Sequence, residues 1–210
     1  MPTFEIESSL PFDFIAGTDE AGRGPLCGPV VAAAVMFPKD HADIDFVISK
    51  LKINDSKKMT AMQRDAAYDW LTANSEIIWA AAQCSPKEID EINILHASMK
   101  AMQRAVSALA RAPQFVLVDG NRAPDFACPA RAIVQGDAKS ISVAAASIIA
   151  KVTRDRIMRK LAVQFPEYGW EKNAGYPTAS HLQAIDKYGI NEHYRKTFAP
   201  VARIAKIEKE

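Results

Sequence analysis

The sequence predicts one α/β domain built around a mixed β-sheet, followed by a helical C-terminal third. Short apolar or β-branched runs flanked by Gly or Pro recur along the chain, and helical patterns lie between and after them. The chain of 210 residues has no internal repeats or low-complexity segments, which fits a single domain. The candidate strands span residues 14–18, 30–37, 77–83, 115–118 and 132–134.

The clearest helix signal begins at Ser85. Ser85 as N-cap, Pro86 at the first helical position and Glu88 at the third form a capping box. Side chains then recur at steps of three and four residues, which predicts one amphipathic helix. These are Ile89, Ile92, His96, Met99, Met102, Val106 and Leu109. Further helices are predicted over residues 60–73, over 139–164, and after Thr178 to about 189.

The composition is that of an ordinary soluble protein, with 49% hydrophobic and 24% charged residues. The N-terminus lacks the basic and apolar regions of a signal peptide, and no apolar run approaches the roughly 18 residues of a membrane helix. Three widely spaced cysteines, Cys27, Cys84 and Cys128, argue against a disulfide framework and against a cysteine zinc site. We therefore expect a cytoplasmic protein without a membrane partner.

Charge is distributed unevenly along the chain. Residues 1–138 hold 13 Lys/Arg and 18 Asp/Glu, a net of −5, whereas residues 139–206 hold 12 and 5, a net of +7. An acidic front and a basic back suit a protein that gathers cations with one part and holds a polyanion with the other. Chance variation in surface charge explains the asymmetry equally well.

Acidic residues follow three of the candidate strands. Asp19-Glu20 ends the first, Asp119-Gly120 ends the fourth, and Asp137 follows the fifth and opens the next helix. Ligands of open α/β sheets bind at strand ends, and oxygen-only ligands favour a hard cation such as Mg²⁺ or Mn²⁺. Each of these sites also has a simpler interpretation. Asp19-Glu20 fits a solvated turn, Asp119-Gly120 fits a turn dipeptide, and Asp137 fits a helix N-cap.

The glycines after Glu20 do not form a dinucleotide-binding loop. Gly22 and Gly24 fit the fingerprint, but Cys27 holds its third glycine position, Gly28 comes one residue late, and a strand follows where a helix is needed. Two glycines around Arg23 instead allow the backbone to approach a sugar or phosphate closely, with Arg23 pairing the charge.

Six stretches of this sequence resemble type 2 ribonuclease H, the prokaryotic ribonuclease HII family, and they occur in the family's order. From the first to the last they span about 180 residues, and the first and fourth are long and specific. They are DEAGRGPLCGP from Asp19, NDSKKM from Asn54, LVDG from Leu117, GDAKSISVAAASIIAKVTRD from Gly136, GYPT from Gly175, and HYRKTFAPV from His193. The pair Asn173-Ala174 departs from the basic or His residue that often precedes GYPT in the family.

The resemblance implies an RNase H-like fold with a mixed five-stranded sheet flanked by helices. Residues 1–210 would form one catalytic domain, with roughly 165–210 as a helical substrate-binding segment. The implied activity is metal-dependent cleavage of the RNA strand of RNA–DNA hybrids, and incision 5′ of ribonucleotides embedded in duplex DNA. The products would carry 3′-hydroxyl and 5′-phosphate ends. A monomer is expected, and the C-terminal tail shows no clamp-binding peptide.

The resemblance also assigns residues. Asp19, Glu20, Asp119 and Asp137 would bind two Mg²⁺ or Mn²⁺ ions and carry catalysis. Reading the 2′-hydroxyl that separates RNA from DNA would fall to the Gly-Arg-Gly turn and to the tyrosine of GYPT. The implied substrate-binding residues are Gly22, Arg23, Gly24, Ser56, Lys57, Lys139, Ser140 and Tyr176. No catalytic role is assigned to His181 or His193.

Three alternatives stay open at this point. A non-catalytic nucleic-acid-binding relative is disfavoured by the intact set of four acids. A sugar kinase of the broad RNase H-like fold is disfavoured by the absence of its phosphate loops. A type 3 ribonuclease H lacking its N-terminal domain is the nearest rival. Type 3 enzymes carry an extra N-terminal substrate-binding domain, whereas only about 13 residues precede the first strand here.

Overall fold

The protein folds around one five-stranded mixed sheet. The computed structural model describes residues 1–40, 42–51, 53, 56 and 59–207. The strands are β1 (Ile15–Ala21), β2 (Val30–Met36), β3 (Ile78–Cys84), β4 (Phe115–Asp119) and β5 (Ala130–Ile133). In the sheet order β3-β2-β1-β4-β5, β1 pairs antiparallel with β2 and parallel with β4. The predicted mixed five-stranded sheet is confirmed, with strand boundaries displaced by at most three residues.

Helices cover both faces of this sheet. Their bounds are α1 (Glu5–Ser8), α2 (Ala42–Leu51), α3 (Ala61–Ala73), α4 (Pro86–Ser107), α5 (Ile141–Gln164), α6 (Trp170–Asn173), α7 (Ala179–Tyr188) and α8 (Ala199–Ile207). Helix α5 packs across β1 and β2 on one face, and α4 packs across β2 and β3 on the other. Because both faces are covered, β2 is buried along its whole length and shows no polar alternation.

The predicted capping box at Ser85 is present, but α4 is not one continuous helix. Asn93 has the left-handed φ of 64°, which kinks the helix, and its side chain accepts the N–H groups of Leu95 and His96. An Asx cap thus starts a second helical segment. The kink rotates the apolar face, so Ala97 is buried and His96 is exposed. The prediction that His96 lies on the buried face is therefore wrong.

The C-terminal helices pack around their own aromatic cluster beside the second half of α5. Trp170 is fully buried and stacks on Tyr168 with ring centroids 5.0 Å apart. Tyr194 packs against both rings, and Met158 of α5 belongs to the same cluster. None of the helices in the parts of the chain that the structure describes is long and apolar enough to cross a membrane.

Candidate active site

Two of the predicted acids meet where parallel strands β1 and β4 lie side by side. The register pairs Thr18 with Val118, so Asp19 and Asp119 follow at equivalent positions. Asp19 is only 6% exposed, and its carboxylate accepts the N–H of Glu20 at 2.6 Å. The sequence suggested that Asp19 and Glu20 follow the end of the first strand. Strand β1 instead continues to Ala21, so both residues lie within it.

The charges at this junction repel one another. Burial, followed by the negative charges of Glu20 and Asp119, raises the pKa of Asp19 well above its ordinary value. Burial also raises the pKa of Glu20, although Arg23 opposes the shift through an ion pair of 3.1 Å. Arg23 thus partly neutralises an acidic site that would be further stabilised by a cation.

Asp137 lies in the turn that precedes α5, and this turn is tied to Asp119. The N–H of Gly136 donates to Oδ1 of Asp119 at 2.7 Å, which links the end of β4 to this turn. Asp137 follows in a short 3-10 helix and is 8% exposed. The interpretation of Asp137 as the N-cap of the next helix is wrong, because Ser140 caps α5 by accepting the N–H of Val143.

Ser147 of α5 is a site residue that the sequence analysis missed. Its buried hydroxyl hydrogen bonds to the Asp19 carboxylate and lies 2.7 Å from the hydroxyl of Ser56. Ser147 lies within the family-like stretch that begins at Gly136, but its role depends on the packing of α5 on β1, which alone brings it to the site.

The predicted phosphate-binding residues have different surroundings. Lys139 is exposed, and its ammonium donates to the carbonyl of Val134 at 2.8 Å. Ser140 is fully buried and donates to Glu7 at 2.6 Å, so its hydroxyl belongs to the fold and leaves Lys139 to face solvent. Ser56 is 4% exposed and points inward to Ser147. Lys57 lies outside the described residues.

The turn from Gly22 to Gly28 leaves β1 beside these acids. Gly22 and Gly28 have φ of 97° and 77°, values that favour glycine. A Cβ on Gly24 would lie 3.5 Å from the ring of Tyr176, so the predicted ribose-reading turn and tyrosine are neighbours. Tyr176 is 43% exposed, which leaves much of its ring open to a ligand.

His181 holds the backbone of Tyr176 from within the protein. The indole N–H of Trp170 can only donate, and it reaches Nε2 of His181 at 3.2 Å. Nε2 therefore accepts, and Nδ1 carries the proton that it donates to the Tyr176 carbonyl at 2.8 Å. Burial lowers the pKa of His181, which keeps this ring neutral. His181 is fully buried, so its ring belongs to the packing of this segment.

The donors at the site fit a hard divalent cation. Carboxylate oxygens without His or Cys are the ligands that Mg²⁺ and Mn²⁺ prefer, and the repulsion at Asp19 is relieved by positive charge. Among the described residues, no three acidic, His or Cys side chains already form a metal cage. Glu20 is turned toward Arg23, so a bound ion would compete with Arg23 for this carboxylate.

A mixed sheet with this strand order, and acids at the β1–β4 junction, define an RNase H-like nuclease. Residues 16–201 match the family model described as Ribonuclease HII. The chain therefore belongs to the ribonuclease HII family, and it is a ribonuclease H endonuclease acting on RNA–DNA hybrids. This match decides the earlier choice between type 2 and type 3 in favour of type 2.

Individual relatives agree with the family match. The ribonuclease HII of Ruegeria pomeroyi is 49% identical over 97% of this chain and 85% of its own length. That of Granulibacter bethesdensis is 50% identical over 93% of this chain and 88% of its own. The crystal structure of ribonuclease H2 from Pyrococcus horikoshii OT3 superposes with a TM-score of 0.75 at 29% identity, covering 93% of this chain and 99% of that one.

Proposed function

We propose that this protein is a divalent-metal-dependent endonuclease that incises duplex DNA on the 5′ side of an embedded ribonucleotide. It would leave 3′-hydroxyl and 5′-phosphate ends and would cut the RNA strand of hybrids by the same chemistry. The observation that carries the proposal is that the Gly22–Gly24 turn follows Asp19 and Glu20 directly at the end of β1, and that Tyr176 lies against this turn. A sugar read by the turn would present its neighbouring phosphate to the carboxylates.

The carboxylates supply the binding site for the metal. Asp19, Glu20, Asp119 and Asp137 would hold Mg²⁺ or Mn²⁺, with two ions expected when substrate is bound. Bound ions supply an activated water and stabilise the leaving 3′-oxygen. The buried hydroxyl of Ser147 orients the Asp19 carboxylate, and Gly136 does the same for Asp119 through its N–H. These hydrogen bonds hold the two side chains ready for a ligand.

Recognition of the ribose would use the backbone of the Gly22–Gly24 turn and the ring of Tyr176. The 2′-hydroxyl both donates and accepts hydrogen bonds, and backbone groups of a glycine turn can approach it closely. The Tyr176 ring can stack on the sugar, while its hydroxyl adds a polar contact. Exposed Lys139 would contact a phosphate, and Lys57 and the segment after residue 165 would add further substrate contacts.

The proposal is tested with a labelled DNA duplex that contains one ribonucleotide. With Mg²⁺ or Mn²⁺, we expect one nick on the 5′ side of the ribonucleotide, and ligation and kinase assays should identify a 3′-hydroxyl and a 5′-phosphate. The matched all-DNA duplex and a reaction with EDTA should remain intact. Cleavage of a uniform RNA–DNA hybrid without nicking of the single-ribonucleotide duplex would contradict the proposal while leaving the hybrid activity in place.

Replacing Tyr176 should weaken incision at a single ribonucleotide. An aromatic stacking contact contributes about 1–3 kcal/mol, so Tyr176→Ala is expected to lower kcat/KM by roughly 10- to 100-fold. Tyr176→Phe keeps the aromatic ring and should lower kcat/KM by a smaller factor. Steady-state incision assays measure both variants. Met62→Ala removes an exposed apolar side chain of α3, outside the proposed substrate-binding residues, and should leave kcat/KM unchanged. Equal losses in the Tyr176→Ala and Met62→Ala proteins would contradict a specific role for Tyr176.

A further inference from the structure

Arg195 is fully buried, and its guanidinium donates four hydrogen bonds to backbone carbonyls of the glycine turn. Nε donates to Gly28 at 3.0 Å, and one terminal nitrogen donates to Arg23 at 3.0 Å. The other terminal nitrogen donates to Gly22 at 2.6 Å and to Gly28 at 2.9 Å. Because the guanidinium is a rigid planar fork of donors, these bonds fix three carbonyls of the turn relative to one another.

The charge of Arg195 is held without an acidic partner. Within the described residues Arg195 forms no ion pair, and the carboxylate of nearby Asp90 instead accepts the N–H groups of Lys196 and Thr197. Burial and the charge of Arg154 lower the pKa of Arg195 to about 9, so it remains a cation at neutral pH. Burying a cation costs free energy, and an apolar side chain of similar volume would fill this position without that cost. The hydrogen bonds that fix the turn are a reason for an arginine at this position.

Arg154 of α5 supports the turn from the other side. Its guanidinium donates to the carbonyls of Pro29 at 3.0 Å, Cys27 at 3.1 Å and Ala174 at 3.0 Å. Arg154 therefore ties the turn to the segment that leads into Tyr176. A Cβ on Gly22 would overlap the Arg154 side chain, so the glycine makes room for this arginine.

We propose that Arg195 is a positioning residue for ribose recognition. By occupying the carbonyls of Gly22, Arg23 and Gly28, it holds the remaining backbone groups of the turn in one orientation toward the sugar. The inference rests on the proposed function, in which the Gly22–Gly24 turn reads the 2′-hydroxyl. Arg195 contacts no substrate itself and acts through the turn. A displacement of about 1 Å in a positioning group can lower a rate by about 100-fold, so the consequence is measurable.

The decisive variant is Arg195→Lys, which keeps the positive charge but offers only a single ammonium. One ammonium cannot bridge three carbonyls in the fixed pattern of a guanidinium, so the turn should loosen while the buried charge is preserved. We expect kcat/KM for the single-ribonucleotide duplex to fall by about 100-fold. We also expect the preference in Kd for that duplex over the matched all-DNA duplex to fall toward one, with the all-DNA Kd unchanged.

Binding is measured by fluorescence anisotropy in EDTA, which prevents cleavage, and the melting temperature is measured in parallel. Ile89→Ala, in the fully buried core on the α4 side of the sheet, is the control for lost stability. It should lower the melting temperature and leave the Kd preference intact. A folded Arg195→Lys protein that keeps the wild-type preference would overturn the inference, because Arg195 would then only stabilise the fold.

A second variant covers the case in which Arg195→Lys does not fold. Arg195→Gln removes the buried charge, which favours folding, and its single amide can donate to at most two of the three carbonyls. A folded Arg195→Gln protein should lose the Kd preference for the single-ribonucleotide duplex, and an unchanged preference would overturn the inference. If the wild-type protein shows neither this preference nor incision, the proposed function fails before any variant is compared, and the inference falls with it.

Discussion

Asp19→Asn is expected to abolish cleavage and, at the same time, to stabilise the metal-free protein. A metal ion contributes several kcal/mol to such reactions, and about 1.4 kcal/mol is a factor of ten, so losing a ligand should cost at least about a thousandfold in kcat. Asn is isosteric and can still accept the N–H of Glu20, so the fold should be preserved. The variant separates the catalytic need for the charge from its cost to folding.

The sign of the stability effect follows from the raised pKa of Asp19. A carboxyl group whose pKa is raised by folding binds its proton more tightly in the folded protein than in the unfolded chain. Above that pKa the buried charge next to Glu20 and Asp119 therefore lowers the free energy of unfolding. Removing the charge should raise the melting temperature in EDTA by a few degrees, and this gain should vanish at pH values below the ordinary pKa of Asp.

Thermal denaturation with and without Mg²⁺ or Mn²⁺ completes the test. An ion that binds only the folded state raises its stability, so the wild-type melting temperature should rise with ion concentration and that of Asp19→Asn should rise much less. Asp125→Asn makes the same chemical change at an exposed position and should alter neither cleavage nor melting. Near-normal cleavage by Asp19→Asn, or an undiminished metal-induced shift, would remove Asp19 from the metal site.

Features encoded locally could be predicted from the sequence. Each strand candidate was short and bounded by Gly or Pro, and each corresponds to a strand of the sheet. The capping box at Ser85 is a contact between residues three positions apart, so it needs no tertiary information. The acids Asp19 and Asp119 could be grouped because neighbouring parallel strands bring equivalent positions together, and the structure places them side by side.

Features that depend on distant parts of the chain could not be predicted in this way. Arg195 is separated from Gly22 by 173 residues, and nothing near it in the sequence indicates that its side chain is buried against that turn. Ser147 lies within an apolar stretch of α5 and reaches Asp19 only through the packing of α5 on β1. Asn93 looked like an ordinary polar position of an amphipathic helix, whereas its side chain starts a new helical segment.

Gly17→Ala is expected to destabilise the whole domain and to slow cleavage, although Gly17 is not one of the site residues. Gly17 lies in the middle of β1, where α5 crosses the sheet. An added Cβ would lie 2.6 Å from Cβ of Ser142 and closer still to the backbone of Ser142 and Val143. Carbon atoms in contact are normally about 3.5–4.0 Å apart. Because the obstacle is helix backbone, no side-chain rotation relieves the overlap, and α5 must move away from β1.

This displacement should reduce both stability and activity. Overpacking of a core typically costs 1–3 kcal/mol, with larger values where backbone must shift, and at about 3 kcal/mol the melting temperature should fall by roughly 6–12 °C. Since α5 carries Ser147 and follows directly after Asp137, its movement should also misplace both relative to Asp19, and the residual folded protein should cleave slowly. Gly24→Ala adds the same methyl group at 3.5 Å from Tyr176 and should melt close to wild type. A Gly17→Ala protein that melts within about 2 °C of wild type would show that β1 and α5 separate far more easily than a close-packed interior allows.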